Sequence, residues 1–126
     1  MTVLDASAVL AMLNEEPGAD VVTAKLAGAT MSVANLAEVL GKVSDVGADM
    51  VTVERLLRAA GVTFIPLDEA DARMVAALRR VDGGMALSLG DRCCLALALR
   101  SDPAEVLTAD QAWRELDLPL SVQILR

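Results

Sequence analysis

The sequence predicts an α/β protein in which a mainly parallel sheet of five strands is covered by helices on both faces. Two observations predict it. Short β-branched or aliphatic runs alternate with stretches of helical periodicity from end to end, and strands that alternate with helices pair in parallel through crossovers. At 126 residues the chain also has the length of one domain, residues 1–126, able to bury roughly two-thirds of its unfolded surface around a single core.

The elements follow in order. "TVLDA" (2–6) reads as the first strand, with a helix at about 7–14 after it and a second helix at about 19–28. "TMSV" (30–33) is the second strand, followed by helices at about 35–46 and 50–60. Val53, Leu56, Leu57 and Ala60 keep helical spacing up to Gly61, which suits the position just past a helix end. "VTFIPL" (62–67) is the third strand, and Asp68 and Asp71, three apart, cap a helix at about 69–82. "DGG" (82–84) ends that helix and opens a flexible loop, after which Ser88 starts a helix running to about 100. "EVLTA" (105–109), a short helix near 111–116 and "SVQIL" (121–125) complete the set.

Composition narrows the chemistry. Apolar residues make up 55% of the chain, with one Phe, one Trp and no Tyr, so the core is aliphatic. Asp5, Asn14, Asp91 and Arg92 interrupt every apolar run short of the ~20 residues a membrane span needs. The start "MTVLDASAVLAML" lacks the flanks of a signal peptide, and a soluble, cytoplasmic protein is expected. Cys93 and Cys94 are adjacent, a spacing that ordinary disulfide geometry does not accommodate, and they read as packing. With no His and no CxxC pair, structural zinc and Ser-His-Asp or Cys-His catalysis have no basis. Carboxylates, Ser/Thr, Lys and Arg remain. The net charge of −7, with nine Arg and two Lys scattered, disfavours a passive nucleic-acid-binding module, as does the lack of aromatic stacking platforms.

Four of the eighteen acids resist reading as plain surface. Asp5 and Asp110 stand at the carboxyl ends of the first and fourth strands, where open parallel sheets bind ligands, although each also suits a helix cap. Glu38 shares a helical face with Asn35, Lys42 and Asp45, and an i,i+4 pair with Lys42 would explain it as a solvated stripe. Asp91 fits a capping box with Ser88, yet behind it "CCLALAL" has no polar face, so its helix packs on all sides. A charge beside such packing needs a partner. If the four converge, mutual repulsion raises their pKa values, and a divalent hard cation such as Mg²⁺ or Mn²⁺ relieves it.

"VLDASAVLAMLNEEPGAD", "SVANLAEVLGKV", "SLGDRCCLALAL" and "VLTADQAW" resemble, in order and spacing, the PIN-domain ribonucleases, in particular the VapC-type toxins of toxin–antitoxin modules. The match spans essentially the whole chain. The resemblance implies a three-layer α/β/α sandwich with strand order 3-2-1-4-5, which makes the first and fourth strands neighbours. It implies that Asp5, Glu38, Asp91 and Asp110 hold one or two Mg²⁺ or Mn²⁺ ions. Ser7 would orient Asp5 or a water, and Asn35 would support the site. The implied activity is cleavage of RNA by metal-activated water, with Arg92 and the loop 82–90 as candidates for contacting RNA. The implied partners are a VapB-type antitoxin and a second copy of the toxin, in a homodimer. The apolar helices at about 7–14, 19–28 and 50–60 are compatible with such surfaces.

Rival readings fit less well. A haloacid-dehalogenase-like phosphatase wants D-x-D where residue 7 is Ser, and a receiver domain wants paired acids after the first strand. A PIN-like scaffold acting only through protein contacts would be expected to have lost part of the quartet.

Overall fold

The computed structural model describes residues 1–101 and 104–126. Strands β1 (Thr2–Leu4), β2 (Thr30–Ser32), β3 (Thr63–Ile65), β4 (Glu105–Thr108) and β5 (Ser121–Ile124) form one all-parallel sheet in the order β3-β2-β1-β4-β5. Val3 lies opposite Val106 and Leu4 opposite Leu107. Side chains alternate across a strand, so neighbouring residues feed different cores. Leu4, Met31 and Leu107 pack with α1 (Ala6–Leu13), α2 (Ala19–Lys25), α3 (Val33–Asp45) and α4 (Met50–Ala59) on one face. Val3 and Val106 pack with α5 (Glu69–Ala77) and α6 (Leu89–Leu99) on the other. The sheet is therefore the middle of three layers, and its central strands are largely buried on both faces, the small hydroxyl residues Thr30, Ser32 and Thr108 included.

α6 is buried along its body, from Cys93 to Ala98, as its apolar sequence predicts. The two thiols are unbonded and buried, and burial pushes that of Cys94 well above its usual range. Among the described residues, no helix is long and apolar enough to cross a membrane.

The strands are shorter than the sequence runs because caps begin at once. Ser32 ends β2 and also caps α3, its Oγ accepting from the Ala34 amide at 3.1 Å, so α3 starts at Val33 rather than near 35. The helix expected over 69–82 stops at Ala77 and tightens into a 3₁₀ turn at Leu78–Arg80. Residues 84–86, expected in a flexible loop, form a second 3₁₀ turn held by Gly84 N–H to Val81 O at 2.8 Å and Leu87 N–H to Gly84 O at 3.1 Å. Buried Leu78 and Leu87 anchor its two sides.

The Asp68–Asp71 capping box forms as expected, and Asp71 also takes Arg100 Nε at 2.9 Å, tying the start of α5 to the end of α6. Gly61 follows α4 with φ +106°, and a Cβ there would lie 2.9 Å from the Ala27 Cα. Both conformation and space exclude a side chain. Gly61→Ala is expected to lower stability by about 1–3 kcal/mol, read as a reduced denaturation midpoint with an unchanged slope.

Candidate active site

Pairing of β1 with β4 brings their carboxyl ends side by side, and the Asp5 amide donates to the Leu107 carbonyl at 3.0 Å where the strands part. Here the four predicted acids Asp5, Glu38, Asp91 and Asp110 line one cavity of about 390 Å³ together with Ser7 and a fifth acid, Asp45, two turns along α3 from Glu38. Three elements supply the rest of the ring: α3 carries Glu38 on an exposed face, α6 carries Asp91 in its first turn, and the chain after β4 carries Asp110.

The four carboxylates share one pattern: one oxygen is fixed by the protein and the other has no hydrogen-bond partner among the described residues. Asp5 Oδ2 accepts from Ser7 Oγ at 2.6 Å and Thr108 Oγ1 at 3.0 Å. Glu38 Oε1 accepts from Asn35 Nδ2 at 2.9 Å. Asp91 Oδ2 accepts from the Ser88 amide at 2.9 Å, while Ser88 Oγ accepts from the Asp91 amide at 3.1 Å. Asp110 Oδ1 accepts from the Ala112 amide at 2.9 Å. Capping and presentation are therefore compatible for Asp91 and Asp110, because a cap consumes one oxygen of two. For Asp5 the cap reading is wrong. Although it precedes α1, its side chain bonds no helix amide.

The acids ring the cavity rather than touch. Among the described residues no three stand close enough to bind one ion together as they are placed, the spacing that four like charges favour. Their proximity still registers on Asp5, which is 3% exposed. Its pKa rises from 3.8 to about 6, chiefly through burial; the Ser7 hydrogen bond opposes the rise, Asp91 adds to it, Thr108 opposes it and Glu38 adds to it. The donor set is four carboxylates with one oxygen each unengaged, suited to a hard divalent cation.

Of the supporting residues, Ser7 donates to Asp5 and accepts from the Ala109 amide at 2.9 Å, so one hydroxyl spans β1 and β4. Asn35, fully buried, gives Nδ2 to Glu38 Oε1 and to the Gly90 carbonyl, both at 2.9 Å. The expected Glu38–Lys42 pair does not form. Lys42 lines the acidic cavity instead, its only basic wall residue among the described residues. Arg92 faces a different, mostly apolar cavity of about 660 Å³ between α3, α5 and α6, and its Nη1 donates to the Val75 carbonyl at 2.9 Å.

Two residues of the site escape a reading of the sequence. Thr108, wholly buried, donates to Asp5 and accepts from the Asp110 amide at 3.0 Å, linking two acids. In sequence it is one more β-branched residue of a strand. Gly90 lies against Glu38, and in sequence it is only a poor helix former in a helix.

These acids gather at the carboxyl edge of an open parallel sheet, the place where such sheets bind ligands. The sequence matches the PIN domain over residues 2–118, and the chain belongs to that family. No curated protein sequence matches. A chain of a toxin–antitoxin complex from Klebsiella pneumoniae superposes with TM-score 0.77 at 16% identity, over 100% of this chain and 98% of that one. FitAcB from Neisseria gonorrhoeae superposes with TM-score 0.68 at 23% identity, over 97% and 96% of the two chains. These likenesses bear on the fold, whose strand order agrees with that implied by the resemblance.

Burial of Asp5 gives stability a pH dependence of definite sign. The folded carboxyl takes its proton near pH 6 and the unfolded one near 3.8, so its contribution is fully present below pH 3.8 and is lost as pH rises through 6. At pH 7.5 the ionised group costs on the order of 2–3 kcal/mol. Asp5→Asn keeps an acceptor for Ser7 and Thr108. In a chelator it is expected to melt higher than wild type at pH 7.5 and close to it at pH 4.

Proposed function

We propose that the protein is a Mg²⁺- or Mn²⁺-dependent endoribonuclease and the VapC-type toxin of a toxin–antitoxin pair. The observation that carries the proposal is the set of four carboxylates around one cavity, each with one oxygen fixed and one unengaged. One or two bound ions would supply the positive charge that acidifies water and balances the phosphate oxygens of an RNA backbone.

The chain's own residues divide the remaining work. Asp5, with its proton held to about pH 6, gives that proton up when cation charge enters the cavity, so affinity rises with pH up to about 7. Ser7 and Thr108 hold the Asp5 carboxylate by one oxygen and leave the other facing the cavity. Asp91 is presented from the first turn of a helix gripped by the core. Lys42 meets the phosphate, a role the sequence pattern suggested for Arg92, whose guanidinium is engaged with Val75.

The toxin assignment is supported by family membership and by the likeness to a chain of a toxin–antitoxin complex. A VapB-type antitoxin and a homodimer follow from the same reading. Two surfaces are suited to them: the outer face of α4, where Val51 and Leu56 are more than half exposed, and the apolar cavity beside Glu38.

Mn²⁺ is expected to raise the melting temperature of the wild type at pH 7.5 and to leave that of Asp5→Asn unchanged. Purified protein given RNA and Mn²⁺ is expected to produce fragments with defined 5′ ends that disappear in Asp91→Asn, which keeps its cap acceptor. Identical fragments from both proteins would remove the assigned site. Lys42→Ala is expected to raise KM by about 3- to 10-fold while kcat stays within about twofold.

A further inference from the structure

Gly90 occupies the second position of α6, where glycine is the poorest ordinary choice. Its backbone gives no reason for it, because its φ is not among the positive ones. The reason lies across the helix interface. A Cβ on Gly90 would stand 2.5 Å from Glu38 Cδ and 2.8 Å from Oε2, closer still to Oε1, and its three nearest atoms all belong to the Glu38 carboxylate. One Asn35 amide joins the same carboxylate to the Gly90 carbonyl, 2.9 Å from each, and Asn35 is fully buried and cannot follow a displaced partner.

We infer that Gly90 is a positioning residue for the acidic centre: its missing side chain is the seat in which the Glu38 carboxylate rests. The inference rests on the metal-dependent reading of that centre. The three atoms nearest a methyl group at 90 all belong to the end of a flexible side chain that can move aside, so the fold is expected to absorb it, and alanine suits the helix better. Glu38 must then swing off Asn35, carrying its charge away from Asp5 and Asp91. Gly90 thus sets where the fourth ligand sits without touching substrate or cation.

The test is Mn²⁺ titration by calorimetry on the full chain, with wild type, Gly90→Ala, Glu38→Asp and the double variant. Gly90→Ala is expected to melt within a few degrees of wild type in chelator and to bind Mn²⁺ at least tenfold more weakly. The shorter Glu38→Asp side chain should recover part of that loss when combined with Gly90→Ala, although alone it weakens binding. In metal-free samples the Asn35 side-chain amide resonance should move in Gly90→Ala. Unchanged Mn²⁺ affinity in Gly90→Ala, or a double variant no better than the worse single one, would overturn the inference while wild-type binding that Asp5→Asn abolishes keeps the centre itself. No Mn²⁺ binding by the wild type would overturn both.

Discussion

Two hydroxyl groups, one in the first turn of α1 and one at the end of β4, close on one buried carboxylate, and the site is arranged around that closure. Ser7 follows β1 and Thr108 ends β4; both donate to Asp5 Oδ2, and each also accepts an amide from the chain leaving β4, Ser7 that of Ala109 and Thr108 that of Asp110. The strands are in register from Thr2 opposite Glu105 to Leu4 opposite Leu107, so the clamp completes a ladder already formed by the backbone. Parallel pairing brings two strand ends to the same edge, and the clamp turns that shared edge into a fixed relation between Asp5 and Asp110. A buried carboxylate with only backbone support would relax toward solvent; with two hydroxyls on one oxygen it stays aimed.

The arrangement opposes stability. Burial and neighbouring negative charges work against an ionised Asp5, and hydrogen bonds recover only part of the loss. What compensates is distributed through the two aliphatic cores that sandwich the sheet, and through links such as Arg100 to Asp71, which fasten the helices on the far face. The fold and the site thus draw on different chemistry: one packs aliphatic side chains on both faces of the sheet, and the other collects carboxylates where the sheet ends.

Much of this was legible in the residues because it depends on local rules. Alternating runs gave five strands and their helices in the right order, and the capping pairs at Asp68–Asp71 and Ser88–Asp91 formed as spaced. The acids stood out because strand ends and an all-apolar helix are unusual places for charge. What escaped depends on contacts between distant segments. Thr108 looks like any strand threonine until Asp5 is seen across the strand boundary, and Gly90 looks like a blemish in a helix until α3 is packed on it. Arg92, a candidate for contacting RNA because it flanks Asp91, faces the neighbouring cavity, since successive helical residues point about 100° apart and its guanidinium is turned toward α5. The early end of α5 had no sequence signal, since the residues after Ala77 keep helical character and yield to the anchoring of Leu78 and Leu87.

The burial of α6 on every side has a consequence in time. Amides in a helix enclosed by core exchange with solvent only when most of the molecule opens, so the body of α6 belongs to the slowest-exchanging part of the chain. Asp91 rides on the first turn of that helix, whereas Glu38 projects from an exposed face of α3. The ring of acids is thus built on supports with different lifetimes: Asp91 stands on a helix that opens only with the fold, and Glu38 on an outer face whose hold on it is the single buried amide of Asn35.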